Sequence, residues 1–361
     1  MRAAILHDGA ADLVVDEIEH DTPGPHEVLI RIEACGLCHS DLHCIDGTLV
    51  RPRPQVLGHE AAGVVEAVGS AVQSISGGDR VVTCLLAGCG GCAPCHRGEP
   101  GQCRNPDATK RSAGDPPRLA TLDGRAVNAM GGVGGLAERV LMDERGVIAI
   151  PGDVPVELAA ILGCAVVTGL GAVFHVAHVA PGDTVAVIGC GGVGLNVIQG
   201  ARIAGAARIV AIDANPLKLP LAGRLGATDL VDASAVDPVE AVRGLIGVGV
   251  DHAFEVVGRP ATVALAMDMA AAGKTAYVVG VMSDDAQVTI AATNLRRGKS
   301  LRGVFMGGGQ PKVDIPRYVE LWSRGLLDLE SMVSRTLTLD EVNDGFRALA
   351  SGEVARAVVR L

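Results

Sequence analysis

Residues 183–214 read DTVAVIGCGGVGLNVIQGARIAGAARIVAIDA. An apolar run ends in a glycine-rich turn, an Ala- and Gly-rich helical segment follows, and a second apolar run ends at Asp213. Few folds accommodate that order of strand, tight turn, helix and parallel strand. Gly189, Gly191, Gly192 and Gly194 open the helix, which leaves its N-terminal backbone N–H groups bare for a pyrophosphate. Asp213, at the end of the second strand, is placed to accept hydrogen bonds from adenosine ribose hydroxyls. It repels a 2′-phosphate, which predicts NAD rather than NADP. A glycine turn and a solvated Asp would share these letters but not their strand–turn–helix–strand context.

Around this unit the texture differs on either side. Residues 1 to about 150 hold short β-branched or apolar runs (VLIRIEACG, AAGVVEAVG, DRVVTCLL) bounded by Gly, Pro and Asp, which predicts an irregular all-β region with long loops. From Pro151 the run VELAAILGCAVVTGLGAVFHVA reads as helix. Further apolar runs, HAFEVVG and TAYVVGV, alternate with Ala-rich stretches such as ATVALAMDMAAAG, as a doubly wound parallel sheet requires. After Phe305, IPRYVELWSRGL and LDEVNDGFRALASG read as helices, the second starting at Asp340 and stopping at Gly352, before a closing strand ARAVVRL.

A chain of 361 residues is too long for one core, so two domains are expected. It has only four Phe, two Tyr and one Trp, so its core and any substrate pocket must be built from aliphatic side chains. The net charge of -10, with no basic stretch, argues against nucleic acid. No uninterrupted apolar segment is long enough to cross a bilayer. Acidic residues come too early in MRAAILHDGAADLVVDEIEH for a signal peptide. The expectation is a cytoplasmic protein with no membrane partner, whose ten cysteines serve metals more than disulfides.

Four of them, Cys89, Cys92, Cys95 and Cys103 in CGGCAPCHRGEPGQC, lie on one Gly/Pro-rich loop. Four thiolates so placed close a tetrahedron around one zinc ion and leave no open position, which marks a structural site. A second set is scattered: Cys38, His39, Ser40, Asp41 and His43 in GLCHSDLH, His59 and Glu60 in LGHEAAG, Cys164 in GCAVVTG. One His and two Cys make a three-ligand zinc site with its fourth position open. Taken singly, Cys164 in an Ala/Val run reads more readily as a small core residue, and His59 also reads as a satisfied turn histidine.

GLCHSD, LGHEAAG, the four-Cys lobe, GCAVVTG, GCGGVG and the strand-end Asp213 occur in the order seen in zinc-dependent alcohol dehydrogenases of the medium-chain dehydrogenase/reductase superfamily, which the chain resembles over essentially its full length. The resemblance implies an α/β protein. A GroES-like, mainly-β catalytic domain would comprise 1–165 and 306–361, with its zinc lobe at about 88–104. A Rossmann NAD-binding domain would comprise 166–305. Cys38, His59 and Cys164 would hold the catalytic zinc, with Glu60 beside it and Asp41 accepting a hydrogen bond from the His59 ring. Ser40 would take the substrate's proton and pass it through the nicotinamide ribose to His43. His39 and Arg356 would reach the pyrophosphate, Lys218 the adenosine ribose, and Thr168, Val193 and Val281 the nicotinamide. Leu49, Leu85 and Met306, with Val281, would line the substrate pocket. Lys218 and Arg356 also read as solvated surface charges. Cys35, Cys44, Cys84 and Cys190 have no implied role.

The implied reaction is reversible, zinc-dependent oxidation of a primary or secondary alcohol with hydride transfer to NAD, by a homodimer or, alternatively, a tetramer. The polar, loop-like stretch after Cys103 has the length of the family's dimeric branch. Thiol-adduct formaldehyde dehydrogenases of that branch have an arginine where this chain has Asp107, which counts against that alternative. A noncatalytic zinc- and nucleotide-binding redox sensor would have no need of the ligands and relay residues together.

Overall fold

The structure, a computed structural model, describes residues 1–361. Strands β1 (Arg2–Leu6), β2 (Val14–His20), β3 (Glu27–Gly36), β4 (Gln55–Val56), β5 (Glu60–Val68), β6 (Arg80–Thr83), β7 (Leu119–Thr121), β8 (Asn128–Ala129), β9 (Arg139–Asp143) and β10 (Val147–Ala149) come first. Then β11 (Thr184–Ile188), β12 (Arg208–Asp213), β13 (Asp229–Asp232), β14 (Val250–Glu255), β15 (Ala270–Val278) and β16 (Ser300–Gly303) alternate with helices, and β17 (Val333–Thr338) and β18 (Arg356–Arg360) end the chain.

Two compact units result. The first is 1–164 with 309–324 and 333–361; the second is 165–308 with 325–332. The first unit is mainly β. One sheet runs β7-β2-β1-β4-β8 and the other β10-β6-β5-β3-β18-β17, with β9 also on β3. Buried Val28, Ile30 and Ile32 of β3 meet Leu57, Leu136, Val140 and Phe346 in its core. The pairing of β3 with β5 is antiparallel and sets Gly36 opposite Glu60. That register brings the chain just after β3, carrying Cys38, beside the chain just before β5, carrying His59.

The second unit is a parallel sheet in the order β13-β12-β11-β14-β15-β16. Its order reverses between β11 and β14, the switch point where such sheets bind nucleotides. Ala186, Ile188, Val210, Ile212, Ala253 and Ala276 are buried in it, as the near-continuous apolar runs require. The segment 325–332 belongs here because Gln199, fully buried on the helix Gly192–Ile203, bonds both backbone groups of Asp328: its Oε1 accepts from the N–H (2.8 Å) and its Nε2 donates to the carbonyl (3.0 Å).

Three expectations are corrected. The helix Val156–Ala177, 22 residues long, contains an 18-residue stretch of mean hydropathy 2.1 and is long and apolar enough to cross a membrane, but 94% of that stretch is buried inside the protein, so its apolarity is explained by packing. The stretch after Cys103 is not all loop: β7 lies in it and pairs with β2. The C-terminal helical segment starts from Thr338, not Asp340; Thr338 Oγ1 and N–H both donate to the Glu341 carboxylate (2.9 and 2.8 Å), which caps the start of the segment. Gly352 ends it in the left-handed conformation, as expected.

Candidate metal centres and nucleotide turn

Side-chain ligand atoms of Cys38, His59, Glu60 and Cys164 lie within 4.8 Å of one another, and all four residues are buried in the first unit. Cys38 precedes the helix His39–Ile45. Cys164 arrives on a π-turn, Leu162–Val166, inside the long helix, an irregularity that re-aims a side chain. Asp41, fully buried, ties the set together. Its Oδ2 accepts from the Cys38 N–H (3.1 Å) and its Oδ1 from the Gly58 N–H (2.8 Å), while His59 Nδ1 lies 3.3 Å from Oδ1. A proton on Nδ1 directed at Asp41 leaves Nε2 as the metal donor.

The electrostatics suit a cation. A hydrogen bond from Cys164 holds the Cys38 thiol well below its ordinary value, helped by the Arg356 charge. The same bond and burial push Cys164 well up. Two sulfurs so close together offer the donor pair that a metal would take as thiolates. Burial pushes Glu60 up to about 7 against the pull of Arg356. Two sulfurs, an imidazole and a nearby carboxylate fit zinc.

Arg356, expected at a pyrophosphate or on the surface, is 2% exposed. Its guanidinium is engaged at the metal set: Nη2 lies 3.2 Å from Glu60 Oε1 and Nη1 donates to the Leu37 carbonyl (2.9 Å). This ion pair had no local signal in the sequence, because it joins residues on strands almost three hundred positions apart. Ser40 and His43 occupy one face of the helix His39–Ile45, His43 with Nδ1 3.8 Å from Asp46. His39, on the same helix, is exposed, and Leu49 and Leu85 pack against the first core.

The four lobe cysteines also converge. Sulfur separations are 3.5 Å (Cys92–Cys95), 3.9 Å (Cys92–Cys103) and 4.0 Å (Cys89–Cys95). A zinc tetrathiolate with bonds of about 2.3 Å has edges of about 3.8 Å. Backbone N–H groups point at the sulfurs: Cys89 and Asn105 at Cys103 (3.2 and 3.3 Å), Arg104 at Cys92 (3.5 Å). These bonds bring Cys92 down to about 6 and lower Cys103 as well. Arg145 docks the lobe, donating to the carbonyls of Cys89 (3.3 Å) and Ala108 (2.5 Å) while gripping Asp143 with two bonds (2.7 and 2.6 Å).

In the second unit the glycine turn has the form the sequence predicts. Gly189 has φ +101°, and a Cβ on Gly194 would strike the Gly189 carbonyl. The helix Gly192–Ile203 starts at Gly191 with no side-chain cap, so its first N–H groups remain for an anion. Val193 is half-buried on that helix. The Asp213 carboxylate already accepts from the N–H groups of Cys190 (2.7 Å) and Asn215 (2.8 Å), which orients it beside the turn. Lys218 ends the short helical turn Pro216–Lys218 nearby. Thr168 Oγ1 donates to Met306 Sδ (3.7 Å), and Met306 has the left-handed φ of 48°. Val281 is 39% exposed.

Residues 24–152 match the family model described as alcohol dehydrogenase GroES-like domain, and 192–324 the one described as zinc-binding dehydrogenase. An alcohol dehydrogenase zinc-binding domain protein from Burkholderia ambifaria is 34% identical, with a TM-score of 0.94 over 100% of this chain and 98% of its own. Benzyl alcohol dehydrogenase from Acinetobacter calcoaceticus is 30% identical, with a TM-score of 0.92 over 100% and 99%. A zinc-binding dehydrogenase from Sinorhizobium meliloti, described as bound to NADP, is 30% identical with a TM-score of 0.82 over 100% and 99%. The paired sulfur–imidazole and four-sulfur sets, the glycine turn at a sheet's switch point and these full-length likenesses have one account: the chain belongs to the zinc-binding alcohol dehydrogenases of the medium-chain dehydrogenase/reductase superfamily.

Proposed function

We propose that the protein oxidises primary or secondary alcohols to aldehydes or ketones with NAD, reversibly. The observation that carries this reading is the buried Cys38, His59 and Cys164 set, braced by Asp41 and followed directly by Ser40 and His43 on one helix face. Zinc, when bound, supplies the Lewis acidity that lets an alcohol give up its proton near neutral pH, and NAD supplies the hydride acceptor. Cys38, His59 and Cys164 would hold the catalytic zinc; Cys89, Cys92, Cys95 and Cys103 would hold a second, structural one. Ser40 receives the alcohol's proton and His43 releases it to solvent. Glu60, paired with Arg356, keeps a carboxylate next to the two thiols without leaving its charge alone.

Asp213 supports NAD over NADP, since its two oxygens would face the 2′ position with like charge. The sheet edge at β16 is open and all four of its residues are exposed, which supports a homodimer over a monomer. Aliphatic Leu49, Leu85, Val281 and Met306 support alcohols of some bulk. Benzylic alcohols come first among these, given the name of the Acinetobacter relative. Asp107, exposed and paired with Lys110 at 2.6 Å, offers no cation for a glutathione carboxylate. The reading is for a cytoplasmic enzyme without membrane or nucleic-acid partners.

Initial rates of NADH formation with aliphatic, benzylic and terpenoid alcohols test it, beside formaldehyde with low-molecular-weight thiols. Turnover with free alcohols is the expected result. Turnover only with thiol and formaldehyde together would replace it by thiol-adduct oxidation. Absence of turnover with every substrate would count for the noncatalytic alternative.

A further inference from the structure

The two sulfurs and the imidazole of the buried metal set come from three separate stretches of chain, and Asp41 braces two of them. It accepts from the Cys38 N–H and from the Gly58 N–H beside His59. Cys164 arrives on the π-turn Leu162–Val166 without that brace. Gly163 stands directly before it and is buried. Glycine is a poor helix former, and here a close approach accounts for it. A Cβ on Gly163 would strike the Thr83 carbonyl oxygen and lie 3.1 Å from its carbon. The turn therefore rests backbone on backbone against the end of β6.

Thr83 is the last residue of β6 and is fully buried. The ladder between β5 and β6 ends with Ala62 opposite Val82. One position on, the Thr83 side chain takes over. Its hydroxyl accepts from the Ala61 N–H (3.3 Å) and donates to the Ala61 carbonyl (3.3 Å). Ala61 follows Glu60 and lies two residues after His59. Thr83 also stands opposite Val147 of β10, and the next N–H, that of Cys84, donates to the Gly146 carbonyl (2.9 Å). One residue thus meets both sides of the metal set: by its hydroxyl the stretch with His59 and Glu60, by its carbonyl the turn with Cys164. The contact at Gly163 contains no side chain that could yield.

We propose that Thr83 and Gly163 are positioning residues for the metal: their contact sets the distance from the Cys164 sulfur to the His59 ring, and with it how tightly a zinc ion is held there. This rests on the catalytic-zinc reading above. The test exposes the zinc-loaded wild type, Gly163→Ala, Thr83→Val and Thr83→Ser to a chromophoric chelator. Cadmium NMR of the cadmium-substituted proteins, in which two-sulfur and four-sulfur sites give separate resonances, then shows which site has changed. Gly163→Ala is expected to release one of its two zinc equivalents about 10- to 100-fold faster than wild type, the range for groups that orient metal ligands. Thr83→Val, which loses the hydroxyl, should release it about three- to tenfold faster, the scale of one or two weak hydrogen bonds. Thr83→Ser keeps the hydroxyl and should stay within about twofold of wild type. The equivalent in the four-Cys lobe keeps its wild-type rate, and in Gly163→Ala only the two-sulfur cadmium resonance moves.

Thr83→Val adds no atom at the crowded contact and keeps the test open should Gly163→Ala not fold. Equal acceleration of both equivalents would mean a general loosening of the fold. Unchanged release in Gly163→Ala or in Thr83→Val would mean that Cys164 is placed without this contact. Each result overturns the proposal and leaves the catalytic-zinc reading standing. A wild type that holds only the lobe zinc would remove that reading and this proposal together.

Discussion

Asp41 does most to turn scattered ligands into a site. It carries no metal ligand itself, yet it accepts from the backbone of both ligand-bearing loops and faces the His59 ring. Asp41→Asn keeps the shape but loses an acceptor oxygen and the charge that steadies the ring proton. The expected result is a zinc affinity about 10- to 100-fold weaker at one of two sites. Chelator competition would show it as one fast and one slow equivalent of zinc. Two equally slow equivalents would mean the ligands hold themselves. Asp213 invites a second substitution. In Asp213→Gly the N–H groups of Cys190 and Asn215 lose their acceptor and become donors for a 2′-phosphate. The ratio of kcat/KM for NADP to that for NAD should rise at least about tenfold, the weight of one unfavourable charge contact. An unchanged ratio would move the discriminating carboxylate elsewhere.

Among the elements, the stretch after Cys103 shows where sequence reading stops. Its polar letters predict loop, and they could not show that Arg111 and Arg118 reach back to Glu27. Arg111 contributes Nε and Nη2 to the Glu27 carboxylate (3.0 and 2.6 Å) and Nη1 to Asp21 (2.6 Å), while Arg118 Nε adds 2.6 Å to Glu27. These partners are some ninety positions apart, so no local period announces them. By contrast β11, β12 and β14 were legible because burial on both faces writes an apolar run, and the glycine turn because the close approach at Gly194 admits no side chain. The π-turn at Cys164 and the Arg356–Glu60 pair were illegible for the same reason as the arginine clamp: they exist only once distant strands have met. Burial opposes ionisation of Glu27, but the bonds from Arg111, the Gly24 N–H and Arg118 win and hold it at about 2 against an ordinary 4.5. A carboxylate with a lowered folded pKa stabilises above its unfolded value and loses that contribution as pH falls from 4.5 towards 2. Glu27→Gln should thus melt below wild type by an amount that is constant above pH 5 and shrinks under about pH 4.5, worth on the order of 1.5–3 kcal/mol at neutral pH. A pH-independent gap in melting temperature would mean packing, not charge, holds the stretch.

At the scale of the whole molecule, the six-stranded sheet ends in two unlike edges. The β13 edge carries Asp229, gripped by Arg208 (2.8 and 2.7 Å), and Asp232, the charges by which a strand refuses further pairing. The β16 edge reads Ser-Leu-Arg-Gly, with Leu301 40% exposed and Leu295 and Phe305 more exposed beside it. An unprotected edge flanked by apolar side chains is an invitation to a copy of itself, and a twofold axis satisfies both edges at once. Sedimentation of the wild type should therefore give a dimer, with a melting temperature that climbs with protein concentration. Leu301→Asp would set like charges near the axis and remove two apolar contacts together. It should weaken the dimer at least tenfold, or about 1.4 kcal/mol, without loss of the glycine-turn fold. A Leu301→Asp protein that sediments as a dimer with unaltered concentration dependence would place the contact on another face. A wild type that is monomeric at micromolar concentration would mean that β16, despite its composition, is kept apart in solution, and the homodimer reading would fall with it.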